Sequence, residues 1–424
     1  MATASSPRLP DIKPRTPVAA LDRSAWAERT ERFSAKAVAP VVGMSPVFIR
    51  RAVGHGGDLS VDDVLLLLDQ DAFSETFVPR SMVLPYLVSV AADPVPMPEV
   101  VEPQTYALIE GSVLDHLDRL PAGSVQCVVT SSPYWGVRVY KDATTVVWAD
   151  GEECVYGHEQ TPEGFVRHTV QILHHLHSRV SANGSVWWNL GDTYNTRTQI
   201  RSNAAETLQA MQGKDGRSWG DYDCRRYSAG HSYLKDGEQC MIPSQVAERA
   251  SRIGYYVKSV ISWVKTSSTP EPQNSRVSRG MEYILHLSTT RTPKFNKLAY
   301  RTTGPALGGR NIGWESDKLS DVWVLPTSSG RGGHGAQFPT ALPGRCIALS
   351  TDVNDLVLDP FVGSGSSGVA ARALGRRFVG IDVSPSYLAT AEEAIAAVPE
   401  SGFTAAAAPA SAGTPQLLPM TGIA

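Results

Sequence analysis

The sequence predicts an α/β protein: a doubly wound sheet in three layers, with a small helical module ahead of it. Three observations carry this. Residues 356–382, LVLDPFVGSGSSGVAARALGRRFVGID, read as strand, tight glycine turn, helix and strand. Upstream, from residue 107, apolar runs of strand length alternate with helical stretches, the pattern of a sheet covered on both faces. Finally, only a short helix over 387–398 and a Pro/Ala tail follow Asp382. A doubly wound sheet needs about five or more strands, so most of it precedes the glycine turn. The two halves therefore stand in circularly permuted order.

Taken from the N-terminus, residues 1–17 are polar and Pro-rich and predict disorder, as does the tail over 399–424. Residues 18–92 have helical spacing. Within them 35–53 resembles a helix-turn-helix, with Gly43 at the turn, Ser45 capping the second helix and Arg50 and Arg51 on its outer face. Pro40, inside the first helix, argues for a plain packing module instead. Residues 93–104, DPVPMPEVVEPQ, form a Pro- and acid-rich linker. The main domain spans 105–398. Its strands fall at 107–110, 125–130, 185–190, 255–263, 282–287, 353–358 and 378–381. Helices are expected over 113–120, 165–176, 243–252 and 369–374, and a polar insertion over 193–239 has little periodicity.

A net charge of −3 confines any nucleic-acid surface to a local patch. The five cysteines form no CxxC pair, which predicts reduced thiols. No stretch has the length of a membrane span and the N-terminus lacks a signal-peptide core, so the expected location is cytoplasmic. His174, His175 and His177 are expected on a solvated helix face. Cys154 and His158 look isolated, and no metal site is expected.

Two stretches carry chemistry. Gly363, Gly365 and Gly368 spell GxGxxG between a strand and a helix, so the backbone can approach a ligand at the helix N-terminus. Asp382, ending the next strand, stands where an acid accepts hydrogen bonds from a ribose. The second stretch is TSSPYW, residues 130–135, at the end of a strand. There Tyr134 can stack on a planar heterocycle. The Ser131 hydroxyl and the main-chain carbonyls of Ser132 or Pro133 can accept from an exocyclic amine. Ligands of such sheets bind at the carboxyl ends of the strands, so both stretches should open onto one cleft.

TSSPYW followed far downstream by DPFVGSGSSG resembles the β-class DNA amino-methyltransferases, in which the catalytic motif precedes the S-adenosylmethionine motif. The likeness runs from about residue 108 to 397 and includes GSVWWNLGDTY, IGYYVKSVISWVK, MEYILHLS and HGAQFPTAL. It implies the S-adenosylmethionine-dependent methyltransferase fold, with Asp359, Phe361, Gly363 and Gly365 around the methionine part of the cofactor. It further implies Asp382 on the ribose, with Phe338 and Pro339 completing the pocket. Ser131, Ser132, Pro133 and Tyr134 become the catalytic motif. Two positions depart from the family: Ser132 replaces the first proline of SPPY or DPPY, and Ser112 stands where an aspartate near the adenine is common.

The implied reaction is direct methyl transfer to an exocyclic amine of a base flipped out of duplex DNA. Ser131 in place of aspartate favours cytosine N4 over adenine N6. The Pro-Cys nucleophile of carbon-5 enzymes is absent. Between 258 and 310 nine basic residues face two acids, which suits phosphates. Trp135, Lys265, Arg276, Arg279, Arg291, Lys294, Lys297 and Arg301 are the expected DNA contacts, with target recognition expected in 289–335 and the 193–239 insertion as second candidate. A cognate restriction endonuclease would be the natural partner, and oligomeric state is left open. Two rival readings are a nicotinamide enzyme and a DNA-binding regulator with a degenerate catalytic site.

Overall fold

The structure is a computed structural model and describes residues 29–92, 100–136, 144–195, 237–265, 275–327 and 338–399, with Trp26, Asp142, Leu234 and Lys235 besides. The expected terminal tails, most of the 193–239 insertion and part of the 93–104 linker lie outside the described residues.

Four helices open the chain: α1 (Ala35–Val42), α2 (Pro46–Val53), α3 (Val61–Leu68) and α4 (Val83–Ala92). Ser34 caps α1 by accepting from the Ala37 N–H, Ser45 caps α2 through Phe48, and Gly43 turns between them at φ 67°. α1 and α2 are thus two short capped helices joined at Gly43. Pro40 sits near the end of α1, where its carbonyl accepts a 2.8 Å bond from the Thr76 hydroxyl. The module does not stand apart. Phe77 stacks on His174 at 4.7 Å, and the Thr76 carbonyl accepts from Arg249 at 3.0 Å. This corrects one expectation: the histidine face of 174–177 is a packing surface, not a solvated one. Burial there pushes His174 down to about 3, so it is neutral.

The main domain is one eight-stranded sheet. Its elements are β1 (Tyr106–Glu110), β2 (Val125–Ser131), α5 (Pro162–His177), β3 (Val180–Leu190), α6 (Ile242–Arg252), β4 (Tyr256–Lys265) and β5 (Met281–Ser288). β6 (Val322–Leu325), α7 (Ala341–Ser350), β7 (Leu356–Asp359), α8 (Ser366–Ala373), β8 (Arg377–Asp382) and α9 (Pro385–Ala396) complete it. Strand order is β6-β4-β5-β3-β2-β7-β8-β1, and every pairing is parallel except the two made by β5. The late strand β7 lies between β2 and β8, so the permuted order closes into one continuous sheet.

Alternation along the strands builds three layers. Val128, Trp188, Leu285 and Leu358 enter the core shared with α5, α6 and the N-terminal helices. Their chain neighbours Cys127, Val129, Trp187, Ile284 and Val357 enter the core shared with α7, α8 and α9. The sheet is thus apolar on both faces, and its polar chemistry is left to the strand ends. Because β5 is antiparallel, its first residues, Met281 and Glu282, arrive at the same edge as the last residues of the other strands.

Candidate active site

The carboxyl edge gathers Glu110, Ser131, Leu190, Lys265, Asp359 and Asp382 from parallel strands and Glu282 from β5. The two motifs read from the sequence meet here. Thr130, chain neighbour of Ser131, donates its hydroxyl to Asp359 at 2.6 Å. The Phe361 ring, just past Asp359, stacks on Tyr156 at 5.2 Å and meets Trp188 edge-on at 5.9 Å. Those same two aromatics also hold Ser132: its hydroxyl accepts from the Trp188 indole at 3.0 Å and from Tyr156 at 3.4 Å.

In the glycine loop Asp359 is fully buried. Besides Thr130 it accepts from the Phe361 N–H at 3.0 Å and from the Ser367 hydroxyl. Burial outweighs these bonds and pushes its carboxyl up to about 6. Asp359 therefore ties β7, the loop, α8 and β2 together and presents no open face. Asp382 behaves differently. It accepts from the Gly363 N–H at 2.8 Å and from Ser384 at 3.0 Å, which leaves a lone pair on each oxygen for a diol. Burial raises its pKa as well. At Gly363, φ is 52° and, its chain neighbours aside, no atom of the described residues lies within 4 Å of where a Cβ would stand, so the described loop is open on that side. A cradle beside an acid fits a nucleoside-bearing cofactor. Ser112 lies at the end of β1, next to the Gly111 N–H that bonds the Asp382 carbonyl at 2.9 Å. Phe338 is buried in the same apolar cluster as Val362 of the loop, and the Pro339 carbonyl accepts the Leu342 N–H as α7 begins.

At the catalytic edge the Tyr134 hydroxyl donates to Glu282 at 2.6 Å and accepts from the Asn189 amide at 2.7 Å. The same amide nitrogen lies 3.2 Å from Ser131 Oγ and 2.9 Å from Glu282. The Tyr134 ring packs against Gly191: a Cβ added there would stand 2.6 Å from its Cε2. Lys265 pairs with Glu282. Asp192, next along the chain, accepts from the N–H groups of Thr193, Met241 and Ile242 and from Gln239. Asp192 thus draws the two ends of the insertion together, and a bridge between Tyr194 and Gln239 continues the closure.

A family model described as DNA methylase matches residues 125–393. The chain belongs to the site-specific DNA amino-methyltransferases. It is 32% identical over 295 residues to the type II methyltransferase M.Cfr9I of Citrobacter freundii, covering 68% of this chain and 87% of that one. With M.XycI of Xanthomonas campestris pv. cyanopsidis it shares 32% over 291 residues, 68% and 86% of the two chains. Among solved structures, PvuII DNA methyltransferase (cytosine-N4-specific) superposes with a TM-score of 0.47 at 17% identity, over 69% of this chain and 86% of that one.

Within the methyltransferase, several sequence expectations need correction. Ser132 turns its hydroxyl into the core and is 3% exposed, which explains why a serine is tolerated there: the hydroxyl satisfies Trp188 and Tyr156. Only its main chain can face a substrate. Trp135 is 2% exposed and donates to the Glu159 carbonyl, so it packs and does not touch DNA in this form. The basic stretch is not one face. Arg276 covers the Tyr194 ring at 3.9 Å and Arg279 donates to the Asp192 carbonyl, both at the cleft. Arg291, Lys294 and Lys297 follow the far end of β5 at the opposite edge, where Asp352 and Asp355 neutralise Lys294. Arg301 is held by the Asp317 carbonyl. Of 289–335, the described part supplies edge strand β6 and a buried ion pair between Glu315 and Arg345 at 2.6 Å. Asn189 and Glu282 were missed as site residues. Their only signal was position, each at the cleft end of a strand whose direction the sequence does not announce.

One further cluster lies behind the TSSPYW turn, whose Trp135 donates to the Glu159 carbonyl. His168 is buried between Asp150 at 3.2 Å and Glu159 at 3.1 Å, and its ring stacks on Trp148 at 4.1 Å. Cys154 and Glu152 stand close by, within a possible ligand distance of His168. The two carboxylates raise the His168 pKa against its burial, which suits a charged imidazolium bridging them.

Proposed function

We propose that this methyltransferase transfers a methyl group from S-adenosylmethionine to N4 of a cytosine flipped out of duplex DNA. The observation that carries the reading is the Ser131 hydroxyl, beside Tyr134 and joined through Thr130 to the Asp359 loop. The donor supplies an electrophilic sulfonium methyl when bound. Gly363, Phe361 and Asp382 are the residues that would hold it, with Ser112, Gly365, Phe338 and Pro339 around them.

An exocyclic amine is a weak nucleophile because its lone pair is delocalised into the ring. Ser131 Oγ and the main-chain carbonyl of Ser132 or Pro133 accept its hydrogens and favour a pyramidal nitrogen. Tyr134 stacks on the extruded base and offsets part of the few kcal/mol that flipping costs. Fixing the amine in place contributes the proximity effect, worth up to about 7–11 kcal/mol in favourable cases. Arg276 and Arg279, beside the neck of the insertion, are placed to take phosphates, and the insertion is the favoured reader of the target sequence. The type II label of the relatives supports a cognate endonuclease as partner.

Incubation with labelled S-adenosylmethionine and DNA, followed by nucleoside mass spectrometry, tests this. N4-methylcytosine is the expected product. N6-methyladenine would move the reading to the adenine branch, and DNA binding without any incorporation would favour the regulator.

A further inference from the structure

Glu282 carries no expectation from the sequence, where it is one of two acids in a basic stretch. In the fold its carboxylate accepts the Tyr134 hydroxyl at 2.6 Å. Tyr134 has one hydroxyl proton and gives it to Glu282; its lone pair then accepts from Asn189. Asn189 has two amide hydrogens and three acceptors within reach: Tyr134 at 2.7 Å, Glu282 at 2.9 Å and Ser131 at 3.2 Å. A carboxylate only accepts, so Glu282 dictates which end of the amide faces the site. The cost is visible on the other side, where Asn189 Oδ1 is buried with no hydrogen-bond partner among the described residues. Lys265, seated against Trp263, pairs with the second Glu282 oxygen and holds the carboxylate from the side away from Tyr134.

We propose that Glu282 is a positioning residue for methyl transfer. Its carboxylate fixes the plane of the Tyr134 ring and, through Asn189, the orientation of the Ser131 hydroxyl, so both base-facing groups are set before the base arrives. The inference rests on the methyltransferase reading above. It names an acid from the antiparallel strand as the anchor of a motif carried by a parallel one. Pre-setting a stacking ring and an acceptor spares the complex the loss of their rotational freedom, and that gain falls on turnover.

The test is a double-mutant cycle on full-length protein, with kcat on DNA measured beside calorimetric S-adenosylmethionine affinity. Glu282→Ala and Tyr134→Phe should each lower kcat by about tenfold or more while cofactor affinity stays within about twofold of wild type. Combined, they should cost no more than the worse single change, because both remove the same bond. Glu282→Gln, which keeps shape and one acceptor oxygen, should lose less than Glu282→Ala, and should lose nothing further in the Tyr134→Phe background. It also serves as the comparison if the alanine variant fails to bind cofactor. Losses that multiply, or a Glu282→Ala enzyme with wild-type kcat, overturn the inference alone. A wild type that incorporates no methyl overturns the functional reading and this inference with it.

Discussion

The carboxyl edge of the sheet holds two sites built in different ways. From Asp359 to Asp382 the cofactor loop is one continuous stretch, and most of its bonds close within it: Asp359 to Phe361 and Ser367, Asp382 to Gly363 and Ser384. The catalytic edge draws Ser131 and Tyr134 from the end of β2, Asn189 from β3, Lys265 from β4 and Glu282 from β5. The first site is a local motif that any correctly placed strand would carry. The second exists only once four strands have paired in register. The two should therefore fail independently, except through the Thr130–Asp359 bond and the Phe361 contacts with Tyr156 and Trp188 that join them.

The sharpest way to break that comparison is a reciprocal pair. Tyr134→Ala should cost about 10²-fold or more in kcat while leaving S-adenosylmethionine affinity nearly intact. Asp382→Ala should weaken cofactor affinity by about ten- to a hundredfold, the loss of charge-assisted bonds, while the cofactor-saturated enzyme keeps most of its turnover. Isothermal calorimetry beside single-turnover kinetics separates the two. If both variants lost both properties together, the sites would be one cooperative unit.

A pH titration probes the link between them. Asp359 rises from 3.8 in the unfolded chain to about 6 in the fold. The folded state thus binds the proton more tightly, so this group's contribution is complete below about pH 3.8 and is lost as pH climbs through about 6. Chemical denaturation at several pH values should show wild type losing up to about 3 kcal/mol relative to Asp359→Asn between pH 4 and 7. Asp150 has the opposite sign, since burial is outweighed by its bonds to His168 and Arg167 and its pKa lies below the usual range. Its contribution is lost as pH falls, so Asp150→Asn and Asp359→Asn should bend the stability curve in opposite directions.

The smallest change is Gly191→Ala. A Cβ there meets the Tyr134 ring at 2.6 Å, so the ring must shift. Turnover should fall about tenfold with cofactor affinity unchanged. A wild-type rate would mean that the ring plane tolerates displacement.

How much of this was legible in the sequence follows from the same contrast. The cofactor loop, the permuted halves and the serine–tyrosine edge could be read because each lies within a few neighbouring residues. The strands over 125–131, 180–190, 256–265 and 281–288 were found by apolar patterning, nearly in place. What patterning could not give was direction. The antiparallel run of β5 carries Glu282 to the cleft and sends Arg291, Lys294 and Lys297 to the far edge, so a basic count along the chain merged two surfaces. At Ser132 the sequence named a main-chain carbonyl as acceptor but not the direction of the hydroxyl, which turns into the core because alternate residues at a strand end face opposite ways. The short strand β6 and helix α7 were missed because VWVL is brief and ALPGRCIALS opens with a proline inside its first turn.

The clasp at Asp192 has a consequence for how such enzymes diversify. Four donors from both ends of the insertion converge on one carboxylate, so the segment leaves and rejoins the scaffold at nearly the same point. A stretch held that way can be lengthened, shortened or exchanged without disturbing strand pairing. New sequence preferences could be grafted onto an unchanged chemical engine, like a bit changed in a drill.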